Sequence, residues 1–229
     1  MVMVSLFSLQ FAKAGDNEIT LDQAGNGFEL NILQKGHSNT IEMYDTGSSI
    51  TGSDQTIKLY QTNPESGASE NTIKLWHIYG NTNSIRLVQG EDLSSALDTT
   101  PNGYDGTEDG GHYAMIDIHG SNNNIAGYQK NNGSGGHTLD TYVWGNYNDV
   151  WTQQWKSTSK NIDLTIRNSN NDISIEQRGN AGHSAAIDLS GSYGTDLNLL
   201  QQNSTAQSYS LTQSCMTAGG CAVSVTQGN

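Results

Sequence analysis

The segment QKGHSNTIEMYD, residues 34–45, sets Gln34, Gly36, Asn39 and Ile41 at offsets of two, three and two, with apolar residues on every second position after Asn39. Period two is the mark of a strand with one buried face, and Gly, Asn and Ser between such runs mark tight turns. The spacing recurs. Units of the form polar–x–apolar–x–apolar–x–Gln start at Asn17, Phe28, Asn39, Gln55, Asn71 and Asn83. After an interruption they resume at His112, Asn123, His137, Asn148, Lys160, Asn171, His183, Thr195, Gln207 and Cys221, sixteen units in all.

The units alternate in character. In the even-numbered ones the seventh position is Gln34, Gln61, Gln89, Gln129, Gln154, Gln177, Gln201 and Gln227, glutamine in all eight. In the odd-numbered ones it is Gln23, Asp45, His77, Ile118, Val143, Ile166, Leu189 and Gln213. A repeat of single strands would not sort this way, so the repeat is a strand pair. A strand–turn–strand pair cannot bury its apolar face alone; stacking one pair on the next does so. The expectation is an all-β solenoid of about eight two-stranded rungs, stacked parallel and in register. The rungs lie near 17–34, 39–61, 71–89, 112–129, 137–154, 160–177, 183–201 and 207–227. At about 4.8 Å per rung the rod is on the order of 40 Å long. A buried glutamine is costly without partners. In a parallel stack each amide donates to one neighbour and accepts from the other, as in the amide ladders of cross-β structures.

Composition agrees with a stacked array rather than an ordinary globule. Of 229 residues, 34% are hydrophobic and 14% charged, and only two are proline. The formal charge of −13, from 23 acidic and 10 basic residues, excludes DNA or RNA as the main partner, because phosphate binding needs a basic footprint. No apolar run reaches the roughly twenty residues of a membrane span. Residues 1–14, with the apolar run VMVSLFSLQF and the small-x-small pattern AKA at 12–14, read as a secretory signal. Residues 15–229 form the array, and the acidic segment 90–111 interrupts it.

The spacing Gln–x–Gly–x–x–Asn–x–apolar–x–x–x–Gln, present at Gln34, Gly36, Asn39, Ile41 and, with Asp, at Asp45, resembles the curlin repeat. It recurs at Gly120, Asn123, Ile125 and Gln129, at Gly145, Asn148, Val150 and Gln154, and at Asn171, Ile173 and Gln177. The resemblance spans nearly all of residues 17–229. Curlins are subunits of curli, the functional amyloid of bacterial biofilms. The resemblance implies export, passage unfolded through an outer-membrane curli-type secretion pore, and folding at the cell surface into a homopolymeric fibre seeded by a nucleator curlin. It implies a structural role, with no catalytic residues, cofactor or metal. The chain departs from the family pattern in having more repeats, in losing the odd-strand glutamine from most rungs, and in placing Thr195 one residue late where Asn is expected.

Other features take simpler readings. Cys215 and Cys221 occupy the Gly and Asn positions that face each other across the last arc; a bridge there acts as a terminal clamp in an oxidising compartment. His112, His137 and His183 open odd strands and read as turn-side polar caps rather than metal ligands. The aromatics Tyr44, Trp76, Tyr142, Trp144, Tyr60, Tyr128, Trp151 and Trp155 fall on outward positions, where an exposed strip can bind glycan or a neighbouring filament. The alternatives to a fibre subunit are a monomeric capped solenoid that binds surfaces or glycans and, less well supported, a polysaccharide-active β-helix enzyme. The enzyme needs clustered acids, whereas the acids here are scattered. The adhesin needs protected ends, whereas both terminal rungs keep the repeat.

Overall fold

In the computed structural model of the chain, residues 17–20, 29–36, 38–43, 49–63, 69–90, 110–131, 135–155 and 158–228 are described. The signal at 1–14, most of the acidic segment, and Gln23, Tyr44 and Asp45 lie outside them.

Every regular element among the described residues is a strand. One sheet holds β1 (Glu18–Thr20), β3 (Asn39–Met43), β6 (Asn71–Tyr79), β8 (Tyr113–His119), β10 (Thr138–Trp144), β12 (Asn161–Ile166), β14 (Ser184–Gly191) and β16 (Ser208–Cys215), in that spatial order, with β4 (Ser49–Thr51) also paired to β6. The other runs β2 (Glu29–Gly36), β5 (Thr56–Asn63), β7 (Ser84–Gln89), β9 (Asn124–Lys130), β11 (Asp149–Trp155), β13 (Asp172–Gln177), β15 (Thr195–Gln201) and β17 (Cys221–Gln227). Odd units build the first sheet and even units the second. Each strand pairs in parallel with the strand two units away, so the chain winds as a β-solenoid, as expected.

The core lies between the two sheets. Leu30, Ile57, Ile85, Ile125, Val150, Ile173, Leu197 and Val223 fall in one register column. Ile32, Leu59, Leu87, Gly127, Thr152, Ile175, Leu199 and Val225 form the next. Facing them are Ile41, Ile73, Ala114, Leu139, Ile162 and Ala185, all buried. Each large aliphatic removed from water contributes roughly 1.5–3 kcal/mol. A one-residue slip in any strand would turn its whole set outward, so the apolar alternation also fixes the register.

The turns after the odd strands stack as tightly as the strands. A Cβ built on Gly120 would lie 1.8 Å from the carbonyl oxygen of Gly145, and one on Gly145 would lie 2.0 Å from that of Asn168. Glycine is required there because successive backbones touch. The residue before the one that opens an even strand takes a left-handed conformation in the middle rungs, as at Thr82, Asn122 and Asn170 with φ of 58°, 59° and 63°. In the next rung Gly194 stands there, and a Cβ built on it would lie 1.8 Å from the carbonyl oxygen of Asn170. The turn Gly191–Thr195 is one residue longer than Gly145–Asn148, which is why Thr195 comes late and still pairs with Cys221 in register.

Several expectations need correction. His77 does not occupy the inward column. The register jumps between Leu75 and Ile78, and Ile78 pairs with Ile118 and with Ile50 of β4. Thus Trp76 and His77 together oppose Asp117, a β-bulge of one extra residue. In the neighbouring rung Ile50 of β4 stands in that column, and Asp45 lies outside the described residues. Gly36 ends β2 as a strand residue opposite Asn63 rather than standing in a turn. Tyr60 and Tyr128 are not exposed: with Val88 they form a second buried cluster on the outer side of the even sheet, against which Leu33 and Trp155 pack. Of the outward aromatics, Trp144 is 45% exposed, and Trp76, Tyr142, Trp151 and Trp155 are half-buried.

Candidate functional site: amide ladders and rod ends

The last inward position of each even strand sits at one arc of the coil, beside the first residues of the odd strands. Gln34, Gln61, Gln89, Gln129, Gln154, Gln177, Gln201 and Gln227 are in one register column there. Each amide nitrogen Nε2 donates to Oε1 of the next glutamine. The distances are 2.9 Å from Gln34 to Gln61 and from Gln61 to Gln89, 2.8 Å to Gln129 and 3.0 Å to Gln154. They continue at 3.1 Å to Gln177, 2.8 Å to Gln201 and 2.7 Å to Gln227. Each Nε2 spends its second proton across the arc. Gln129 donates to the carbonyls of Tyr113 and His137, Gln154 to Thr138, Gln177 to Asn161 and Gln227 to Ser208. Those carbonyls settle which end of each amide is nitrogen. All but Gln227 are buried. The ladder therefore joins rung to rung and sheet to sheet, and it has one polarity along the rod.

A second column opens the even strands at the other arc. Nδ2 of Asn123 donates to Oδ1 of Asn83 at 3.2 Å, Asn148 to Asn123 at 3.0 Å and Asn171 to Asn148 at 2.7 Å. The backbone N–H groups of Asn123, Asn148, Asn171 and Thr195 donate to the same preceding oxygens. Nδ2 also reaches the turn carbonyl of Gly145 from Asn123 and of Asn168 from Asn148. This ladder runs with the opposite polarity, later residue donating to earlier.

The odd strands open on a mixed column. Asn39 donates to Asn17 Oδ1 and Asn71 to Asn39 Oδ1. The backbone N–H of His112 donates to Asn71 Oδ1 at 3.1 Å, and that of His137 to His112 Nδ1 at 3.2 Å. An imidazole Nδ1 here takes the part of an asparagine oxygen. His112, His137, Lys160 and His183 are all buried at this arc. The rings of His112 and His137 lie 5.0 Å apart. His137 Nε2 faces Lys130 O at 2.8 Å, and Lys160 Nζ donates to Gly179 O at 3.0 Å. Burial, which disfavours the charged form, lowers His137 to about 4 and Lys160 to about 8 and also lowers His183.

At the two ends the glutamine column stops without a change of residue, at Gln34 and Gln227, whereas the asparagine column has already given way to Thr195 and Cys221. Among the described residues β16 pairs only with β14 and β17 only with β15. Inward side chains that are buried in the middle rungs become half-exposed there: Tyr209, Leu211, Val223 and Val225. At the opposite end Leu30 and Ile32 are half-exposed and Ile19 is 41% exposed. Cys215 and Cys221 are joined by a disulfide with Cα atoms 5.8 Å apart, closing the terminal arc. Among the described residues no helix is long and apolar enough to cross a membrane. No protein-family model, curated protein or solved structure matches the chain at a significant level.

Proposed function

We propose that the chain is a structural subunit that polymerises end to end into a curli-type extracellular fibre. The observation that carries the reading is the match between the two ends. The glutamine ladder enters at Gln34 and leaves at Gln227 with its donors pointing the same way throughout. A second copy set with its β2 against β17 continues Gln227 to Gln34 by the bond that links every other rung. The same docking pairs the open strand edges, which otherwise leave backbone N–H and C=O groups unpartnered. It also covers Val223 and Val225 with Leu30 and Ile32. In this reading the protein is exported, folds at the bacterial surface, serves biofilm matrix and adhesion, and is not an enzyme. Its partners are further copies, a nucleator curlin and an outer-membrane secretion pore.

The test is assembly of the chain without residues 1–14, diluted from denaturant to neutral pH. Thioflavin-positive fibres in electron micrographs, with diffraction at about 4.8 Å along the fibre axis, are expected. A strand-rich monomer that persists at high concentration overturns the polymer and favours the capped adhesin.

A further inference from the structure

We propose that the outer face of the odd sheet carries a binding site for one divalent transition-metal ion of the zinc class, formed by His77, Asp117 and His119. The bulge in β6 creates it. The extra residue at Trp76–His77 turns the His77 ring to the outside, beside Asp117 of β8. His119 is two residues further along β8 and so shares the face of Asp117. His119 Nε2 lies 3.0 Å and His77 Nδ1 3.5 Å from Asp117 Oδ1, and the three atoms all lie within 4.8 Å of one another. Donors placed tetrahedrally about 2.1 Å from a zinc ion are about 3.4 Å apart. The three atoms thus need little movement to enclose an ion.

Two features point to a ligand rather than to a surface ion pair. Asp117 is only 6% exposed, and its Oδ1 and the Nδ1 of His77 are buried without a hydrogen bond. A carboxylate oxygen withdrawn from water is costly unless a hydrogen-bond donor or a cation meets it. What faces this one is two imidazole nitrogens, the donor set that divalent zinc-class ions favour. The rings are also held in place. Trp76 stacks on His77 at 5.8 Å, Tyr79 meets His119 edge-on at 4.9 Å, and Trp144 lies 6.1 Å from His119. Aromatic packing of this kind fixes ligand rotamers before the ion arrives. The His119 side chain is 37% exposed, which leaves a side open for water or for a donor from another molecule in the fourth position. Bound there, the ion would tie β6 to β8 across the one place where their ladder is irregular.

The experiment is titration of the chelator-treated full chain with zinc, and separately with cobalt(II), at neutral pH. One equivalent should bind, and cobalt should give visible absorption bands of a four-coordinate site. Asp117→Asn and His119→Gln should each weaken binding by on the order of 100-fold or more, beyond the 10–100-fold typical of outer-shell changes. His119→Gln changes a partly exposed side chain, so the fold, followed by circular dichroism, should persist. His137→Asn should leave binding unchanged, since that residue lies inside the coil. Absence of stoichiometric binding overturns the proposal. So does zinc binding of wild-type strength in the doubly substituted chain, which would place the ion elsewhere.

Discussion

The column that ends the even strands and the column that opens the odd strands stand beside one another at the same arc, yet they are built differently. The first is one residue type repeated, Gln34 through Gln227, and each amide completes the next. The second begins as asparagine and becomes His112, His137, Lys160 and His183. Both are buried and both supply acceptors to the following rung where the residue type allows. The difference lies in protons. An amide ladder has the same charge at every pH. A stack of imidazoles and an amine is neutral only while it remains deprotonated. The uniform column therefore supplies strength, and the mixed column makes that strength depend on pH.

The largest expected effect comes from breaking the uniform column in the middle. Gln154→Ala removes the bond accepted from Gln129 and those donated to Gln177 and Thr138. Buried polar groups left without partners cost about 1–3 kcal/mol each. The expected loss is about 4 kcal/mol in denaturant unfolding, with slower assembly. A loss below about 1 kcal/mol would mean that water or side-chain rearrangement replaces the ladder bond.

The next effect comes from the mixed column. A base whose folded-state pKa is depressed binds fewer protons in the fold than in the unfolded chain, so stability rises with pH between the two values. For His137 that window runs from about 4 up to its ordinary 6.5. Acidifying from pH 7 to pH 4 should cost on the order of 3 kcal/mol from this residue, and His183 adds in the same direction. Lys160 behaves alike in its own window, where stability is lost as pH falls from its ordinary 10.5 to about 8. His137→Asn returns an amide to the column and should flatten the acid slope while leaving the neutral-pH stability of the array in place. An unchanged slope would assign acid sensitivity to the carboxylates instead.

The solenoid and the glutamine column were legible in the sequence because both follow strict offsets from a polar residue that opens each strand. The bulge was not. Counting forward from Asn71 puts His77 inward, whereas counting back two from Gly80, as from Gly120 to Ile118 or Gly145 to Val143, puts Ile78 there. An extra residue inside a strand is invisible to a period fixed at one end. For the same reason the cluster around Asp117 went unseen, since its members align only after the insertion. Burial of His112, His137 and Lys160 does not follow from reading a polar residue after a turn as a cap, which leaves open whether the side chain faces water or protein. The signal was their shared unit position with Asn39 and Asn71. The buried cluster of Tyr60, Val88 and Tyr128 had no such signal, because residues pointing away from the core on an alternating strand read as outer surface.

A smaller effect should follow from opening the terminal arc. The bridge from Cys215 to Cys221 spans a sequence separation of six, and closing so short a loop stabilises by about 2 kcal/mol. These cysteines stand where inner rungs have a glycine or asparagine that touches the next turn. Here the covalent bond replaces a neighbour. Double substitution to serine should lengthen the lag before fibres appear and leave mature fibres unchanged, because their end rungs are already paired. Equal lag times with and without the bridge would separate it from docking.

The smallest effect sharpens the comparison most, because it uses the same residue type one position along. Gln201 is fully buried and donates to Gln227 Oε1, Ser184 O and Gln207 O. Gln202 is half-buried and donates to Gly228 O at 2.9 Å. Successive residues along a strand point to opposite faces, so at the strand's end the first amide turns into the arc and the second turns away from it. Gln201→Ala should approach the cost of Gln154→Ala, reduced by the half-open last rung. Gln202→Ala loses one bond whose groups water can reach, and no more than about 1 kcal/mol is expected. If the two variants unfold at the same denaturant concentration, the stabilising property is glutamine content rather than its column. The polarity that carries a second copy onto the rod end would then lose its physical basis.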